Sequence, residues 1–400
     1  MTNCTSDARA EHRTYGGRKT LIVEGWRFLP HSYAIVNQWQ LLALRRRGID
    51  IKIVDVPFYR SAWQAQSGMF DPTSEQVLRD LKVAERDETA DVTLRICAPF
   101  TFAPSRSRLT AVFATLEQQV ILKNQLSNPA EYESIRRRSP PRDIIVITPS
   151  HWSAHGFHRA GFDQKQVLVI PHGVDCTTFR PMPDTREELR HRMSISESDF
   201  VFLSVGAMSG NKGTDLLLRA FAEISRRFRN ARLILKGVDG LYDSRGLLLK
   251  ALRTLSVKEQ QLVLDRMTYI GESLPNQTMA ALYQIADSYI SPYRAEGFNI
   301  PVLEAAACGV PIICTRGGPT DDFTNDEFAR RIDSRLSRFS VHGQAAVRLE
   351  PDLPHLISLM AFAIENPSWR KNANEAGPRH VGARHTWDHV VGQLVTGLLA

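Results

Sequence analysis

The stretch SPYRAEGFNIPVLEAAACGVPIICTRGGP, residues 291–319, leaves a chain few ways to fold. It predicts a short strand ending near Pro292, a loop carrying Arg294, Glu296 and Gly297, a helix from about Pro301, and a second strand over Val310–Cys314. Proline fits a first helical turn, where its missing N–H loses no partner, and Gly309 fits the helix exit, where a left-handed residue is needed. The loop before Pro301 therefore presents free backbone N–H groups, a helix start of the kind that attracts an anion, most often phosphate. Glu296 stands just outside that start and Glu304 one turn inside it. Carboxylates repel phosphate, so the two are expected to bind something uncharged that is attached to it. A sugar nucleotide meets both demands, with hydroxyls at each end and a diphosphate between.

Glu296-Gly297-Phe298, followed by Pro301, Leu303-Glu304-Ala305, Gly309 and Pro311, resembles the E-x7-E signature of glycosyltransferase family 4, a large retaining family. The fold that the resemblance implies is α/β with GT-B architecture: two Rossmann-like doubly wound domains with an interdomain cleft. It also implies that Glu296 binds the donor sugar near its reacting end and that Glu304 binds the ribose. Gly297, Phe298, Asn299 and Ile300 belong to the same donor loop.

At 400 residues and 43% hydrophobic, the chain is long enough for two domains. No run reaches the roughly 18 apolar residues of a membrane span, and the N-terminal stretch MTNCTSDARAEHRTYGGRK lacks the apolar segment of a secretory signal. A cytoplasmic protein is the expectation. Cys4, Cys97, Cys176, Cys308 and Cys314 are odd in number and show no C-x-x-C spacing, which points to neither a disulfide framework nor a zinc site. The formal charge of +7 and pI near 9.2 would suit an anionic partner. Yet the basic residues are scattered apart from Arg45–Arg47 and Arg136–Arg138, and no nucleic-acid motif accompanies them, so nucleic acid is not an expected partner. Those two clusters are the places where a weak peripheral membrane contact would form.

In the first half, strand patterns over Thr20–Glu24, Ile51–Val54, Asp91–Cys97, Leu109–Phe113, Ile144–Thr148 and Gln166–Ile170 alternate with helices, the opening one from about Ser32 to Arg47. That helix carries Ile35, Trp39 and Leu42 on one face. Its first loop should face the cleft. Ser32 reads either as a plain N-cap or, with His31, as a hydrogen-bond partner for a ligand. The run His31-Ser32-Tyr33-Ala34-Ile35-Val36-Asn37 is similar to the opening of a subset of family 4. Glu117 follows a strand and is the candidate acceptor-side carboxylate, though an exposed helical glutamate would look the same. Ser150 can cap a helix bearing His151, His155 and His158. These lack the glutamate of H-E-x-x-H, no metal is assigned to them, and His151 is expected to face the cleft. Pro171-His172-Gly173-Val174-Asp175 with Phe179 resembles the segment joining the two domains of the family, and PMPDTREELR after it reads as a connector.

The second half opens with a strand, Phe200–Val205, and the loop Gly206-Ala207-Met208-Ser209-Gly210-Asn211-Lys212-Gly213 before a helix over Thr214–Arg226. A glycine-containing strand-to-helix loop bearing one lysine suits a diphosphate, because the backbone comes close and the ammonium supplies charge. The loop resembles the family's G-R-L-x-x-x-K-G segment, with Lys212 matching and Ala207 where arginine is usual. Arg294 is the candidate replacement cation, and Lys236, ending the next strand, is another. Helices are read over Leu356–Ile364 and Trp387–Leu399, the latter with Trp387, Val391, Leu394 and Leu398 on one face.

The organisation expected is an acceptor domain over 1–175, a nucleotide-sugar domain over 176–380, and a helix over 381–400 crossing back onto the first. The activity implied is retaining transfer of a sugar from a UDP-, GDP-, ADP- or dTDP-sugar to a hydroxyl acceptor, with Glu296 and Lys212 catalytic and no metal or other cofactor. Gly206, Gly210, Lys236 and Arg294 complete the expected donor side, and His31, Ser32, Glu117 and His151 the acceptor side. Two other classes share the architecture: a non-catalytic binding or scaffold protein, and a sugar-nucleotide epimerase or sugar phosphorylase.

Overall fold

The computed structural model describes residues 19–399; Cys4 and the polar N-terminal stretch lie outside the described residues. The first half supplies β1 (Thr20–Gly25), β2 (Asp50–Asp55), β3 (Lys82–Val83), β4 (Val92–Ile96), β5 (Leu109–Phe113), β6 (Ile144–Thr148) and β7 (Val167–Val169). They pair in parallel in the order β3-β2-β1-β4-β5-β6-β7. The second half supplies β8 (Phe200–Val205), β9 (Ala231–Lys236), β10 (Met267–Ile270), β11 (Ser288–Ser291), β12 (Ile312–Thr315) and β13 (Ala329–Ile332). These are also parallel, in the order β10-β9-β8-β11-β12-β13. Both sheets are doubly wound. Strand order reverses between β1 and β4 in one and between β8 and β11 in the other, and a crevice opens beyond the strand ends at each reversal.

Strands buried on both faces need unbroken apolar runs, and β11 and β12 are buried along their whole length. The helix Thr214–Arg227 buries Leu217, Ala220, Phe221 and Ile224, as its period requires. The first helix, Ser32–Arg46, is buried differently from its apolar stripe: Ala34, Val36 and Leu41 are inside while Ile35 and Trp39 are half-buried. The cause is the last helix, Trp387–Leu399, which lies against it and sends Trp387, Val391, Leu394 and Leu398 into the core of the first domain. Trp387 stacks on Trp39, with ring centres 6.4 Å apart. The returning chain crosses the connector at Gly173, where a Cβ would stand 2.6 Å from the Trp387 nitrogen. Only glycine fits there.

Two segments depart from the sequence reading. PMPDTREELR is not a plain connector, because Pro183–Arg192 is a helix. Arg186 and Arg190, one turn apart on it, both reach Asp287 and the carbonyls ending the Asn276–Ile285 helix, and this docking holds the segment in shape. Residues to which the sequence reading assigns no element form an antiparallel hairpin, β14 (Ser334–Val341) and β15 (Gln344–Pro351). Among the described residues no helix is long and apolar enough to cross a membrane.

Removing the Trp387 side chain leaves a large void beneath the returning helix. Trp387→Ala is expected to lower unfolding free energy by about 3–5 kcal/mol, measurable by urea denaturation followed through a far-UV signal.

Candidate functional site

The strand ends at both reversals face each other across the domain junction. After β1 the chain turns into the first helix through His31, whose Nδ1 accepts from the Tyr33 nitrogen at 3.1 Å. His31, not Ser32, is therefore the N-cap, because an imidazole reaches the second amide of the helix as well as a hydroxyl does. After β8 the loop tightens into one 3-10 turn, Gly210–Lys212, and ends at Gly213 with φ +70°. A Cβ on Gly213 would lie 2.0 Å from the Pro292 carbonyl oxygen, so this glycine lets the β8 loop run directly against the β11 loop. That second loop ends at Asn299, left-handed at φ +81°, which precedes the helix Ile300–Ala307. Pro301 occupies its first turn and no side chain caps it, since the Asn299 amide donates to Ser291 Oγ instead.

Between these loops lies a cavity of about 480 Å³ lined by both domains. Lys212 and Glu296 form an ion pair on its wall, with Glu296 only 4% exposed. Glu117, from the opposite domain, accepts from Asn211 Nδ2 at 3.1 Å. Glu117 is exposed by its own surface, yet the protein packed around its carboxyl raises its pKa and the nearby Glu296 charge adds to this, against the pull of Lys212 and Asn211. For Lys212, burial favours the neutral amine, but Glu296 and Glu117 outweigh it and the net direction is upward. Lys212 is thus a firm cation set between carboxyls of the two domains. Lys236 lines the same cavity, nearly buried, with its ammonium on the Gly237 carbonyl, and desolvation lowers its pKa to about 8. Glu304 accepts from Tyr283 Oη at 2.7 Å, and burial pushes its pKa up to about 7. Burial also holds the cavity-facing imidazoles neutral, with His31 lowered to about 4 and His172 to about 3.

Residues 185–333 match the family model for glycosyl transferases group 1. That match covers 149 of the 400 residues, all of them beyond the last strand of the first sheet. Among similar proteins is a GDP-mannose-dependent alpha-(1-6)-phosphatidylinositol monomannoside mannosyltransferase of Mycolicibacterium smegmatis, 28% identical over 197 residues that make up 48% of each chain. The Mycobacterium tuberculosis H37Rv protein of the same description is 29% identical over 276 residues, 66% of this chain and 67% of that one. The match thus spans about half the length of the first relative. In three dimensions the chain superposes on sucrose-phosphate synthase from Thermosynechococcus elongatus with a TM-score of 0.66 at 17% identity, covering 96% of this chain and 99% of the other. For Anabaena HepE in complex with UDP-glucose the TM-score is 0.66 at 14% identity, covering 95% and 99%. The fold is that of GT-B glycosyltransferases: two parallel-sheet Rossmann-like domains.

The second domain contributes most of the cavity wall. Gly206, Lys212, Lys236, Glu296, Gly297, Phe298, Asn299, Ile300 and Glu304 all line it, and His31, Ser32 and Glu117 face them from the first domain. Three expected residues do not line it. Arg294 is held by Asp215 through two bonds of 2.7 and 2.8 Å and by Glu350 at 3.3 Å, because two carboxylates compete successfully for its guanidinium. Gly210 instead offers its carbonyl to Arg294 Nη1 at 2.9 Å. His151 is exposed; its backbone N–H, at a helix start, donates to Asp322 Oδ2 of the second domain at 2.8 Å and so serves the domain contact. Conversely, Tyr33, Asn211, His172 and Tyr242 line the cavity without having been singled out. Asn211 sits beside Lys212 in the loop, but asparagine is so common in turns that its type carried no signal.

The Glu304 carboxyl gives this site a pH signature. Its pKa rises from 4.5 to about 7 on folding, so between those values the folded state binds more protons than the unfolded one. Its contribution to stability therefore declines as pH rises through that window. Glu304→Gln, which keeps an acceptor for Tyr283, is expected to flatten the stability profile between pH 4.5 and 7 and to gain most over the wild type near pH 8, as read from thermal unfolding across that range.

Proposed function

We propose that the chain transfers a sugar from a nucleotide-sugar donor to a hydroxyl acceptor, with retention of anomeric configuration. The observation that carries this reading is the conjunction, in one cavity, of the Lys212–Glu296 pair with the uncapped start of the Ile300–Ala307 helix. The donor diphosphate rests against that helix start and takes Lys212 as its counter-charge. Positive groups fixed where the leaving diphosphate gathers charge stabilise the transition state. Glu296, freed from Lys212 as phosphate takes its place, turns its carboxylate to the sugar hydroxyls and to the positive character growing at the anomeric carbon. Glu304 takes the ribose hydroxyls. Glu117, His31 and Ser32 receive the acceptor from the first domain, with Glu117 as the carboxylate facing the acceptor's hydroxyl. The charge balance rests on Lys212, Lys236 and the helix start and asks for no metal.

Supporting this reading, the curated relatives carry GDP-mannose-dependent and D-inositol 3-phosphate glycosyltransferase names, and structural neighbours were solved with UDP-glucose and with ADP. The donor base is best found by thermal-shift screening of UDP-, GDP-, ADP- and dTDP-sugars. Release of nucleoside diphosphate together with a glycosylated product separates transfer from epimerisation, phosphorolysis and simple binding.

Glu296→Gln is expected to slow transfer by roughly a hundredfold or more while nucleoside diphosphate still binds within a few-fold of wild type. Lys212→Ala should instead weaken the diphosphate itself, by about ten- to a hundredfold in Kd, since a hydrogen bond to a charged group is worth about 1.5–3 kcal/mol. Calorimetry paired with a product assay reads both, and the reverse pattern would exchange the two roles. Turnover should persist in excess chelator; strict dependence on added magnesium or manganese would overturn the metal-free charge balance.

A further inference from the structure

Arg294 lies two residues before Glu296, close to where a second phosphate cation is wanted, yet it does not line the cavity. Its partners are all behind the phosphate loop. The guanidinium clasps Asp215, in the first turn of the Thr214–Arg227 helix, with both terminal nitrogens. It donates also to the Gly210 carbonyl at 2.9 Å and to Glu350 of the hairpin at 3.3 Å. Its backbone joins in: Arg294 N donates to Asn211 O at 2.7 Å, and Leu349 N of the hairpin donates to Arg294 O at 2.7 Å. The β8 loop, the Glu296 loop and the hairpin are thus knotted at one side chain.

We propose that Arg294 is a positioning residue that shapes the phosphate loop from behind, with the β14–β15 hairpin as its anchor, and never touches the phosphates. This rests on the nucleotide site proposed above. A planar guanidinium gripped at both ends by one carboxylate fixes direction as well as distance, so Asp215 and Gly210 are held in register with Lys212 between them. The same hairpin reaches the acceptor side, where Val347 N donates to Gln118 O at 3.0 Å, next to Glu117. Holding Arg294 therefore also sets the Lys212–Glu296 wall relative to the opposite carboxylate.

A double-mutant cycle distinguishes positioning from direct contact. Calorimetry with UDP, GDP and ADP on the full chain should find Arg294→Gln and Asp215→Asn each weakening the bound diphosphate by about tenfold, with the double variant no worse than either, as expected for one coupled unit. Arg294→Lys should fail to rescue, because an ammonium cannot span both Asp215 oxygens. The salt dependence of Kd should keep its wild-type slope, since no phosphate contact is lost. Amide exchange across 206–213, followed by mass spectrometry, should speed up equally in the three variants. The proposal is overturned if Asp215→Asn binds normally while Arg294→Gln binds weakly with a shallower salt slope, which would make Arg294 a phosphate ligand. It is equally overturned if the variants lose thermal stability but keep wild-type Kd and exchange. If the wild type binds none of the three diphosphates, the nucleotide reading fails on its own, and the exchange comparison still decides whether Arg294 orders the loop.

Discussion

A lysine ammonium held against a nearly buried carboxylate, Lys212 on Glu296, is the interaction around which this cleft is arranged. Taking the Glu296 carboxylate out of water costs several kcal/mol, which the partly exposed Lys212 ammonium offsets because the two loops are held together. The force comes from backbone geometry. Gly213 has no side chain to hold Pro292 away, and Arg294 and Ala295 donate their N–H groups to the Asn211 carbonyl. An anion arriving at Lys212 exchanges one partner for another instead of meeting a bare charge. Under the proposed reading specificity follows from this exchange, because the ligand that displaces the lysine from Glu296 offers hydroxyls to the carboxylate it releases.

The sheets were legible because parallel strands buried on both faces leave apolar runs that few other structures tolerate. The cleft end of the second sheet and the helix leading from it were legible for a different reason: Gly213, Pro301 and Gly309 mark backbone conformations that few residue types satisfy. Glu296, Glu304 and Lys212 could be placed because they stand at fixed offsets from those markers. Glu117 and His31 were found more weakly, from their place after a strand, and both line the cavity.

What escaped was set by contacts distant in sequence. Arg294 could be read as a cation near phosphate, but nothing local reveals that Asp215 and Glu350, 79 and 56 residues away, would claim it. His151 has the position of a site residue, yet Asp322, 171 residues on, takes the amide at its helix start. The hairpin was invisible because β14 alternates weakly and leaves Leu336 exposed. Its buried face, Val347 and Leu349, is defined only by the loops it touches. The Pro183–Arg192 helix is held by Arg190 reaching Asp287 across the domain, an arrangement that charged residues after a proline do not announce.

Ala207 shows how such distant contacts change the chemistry of a site. With alanine there and Arg294 turned to the hairpin, the cations left on the cavity wall are Lys212 and Lys236, facing the carboxyls of Glu117, Glu296 and Glu304. The wall therefore carries three carboxyls against two lysines; desolvation raises the pKa of both Glu117 and Glu304, and for Glu117 the Glu296 charge adds to it. Under the proposed reading the diphosphate adds further negative charge, which strengthens the hold of Lys236, lowered to about 8 by desolvation, on its proton. The same charge raises the carboxyls' affinity for protons. Under the proposed reading, binding of an anionic ligand and proton uptake are therefore linked through this wall, which meets a diphosphate with two lysines and no arginine.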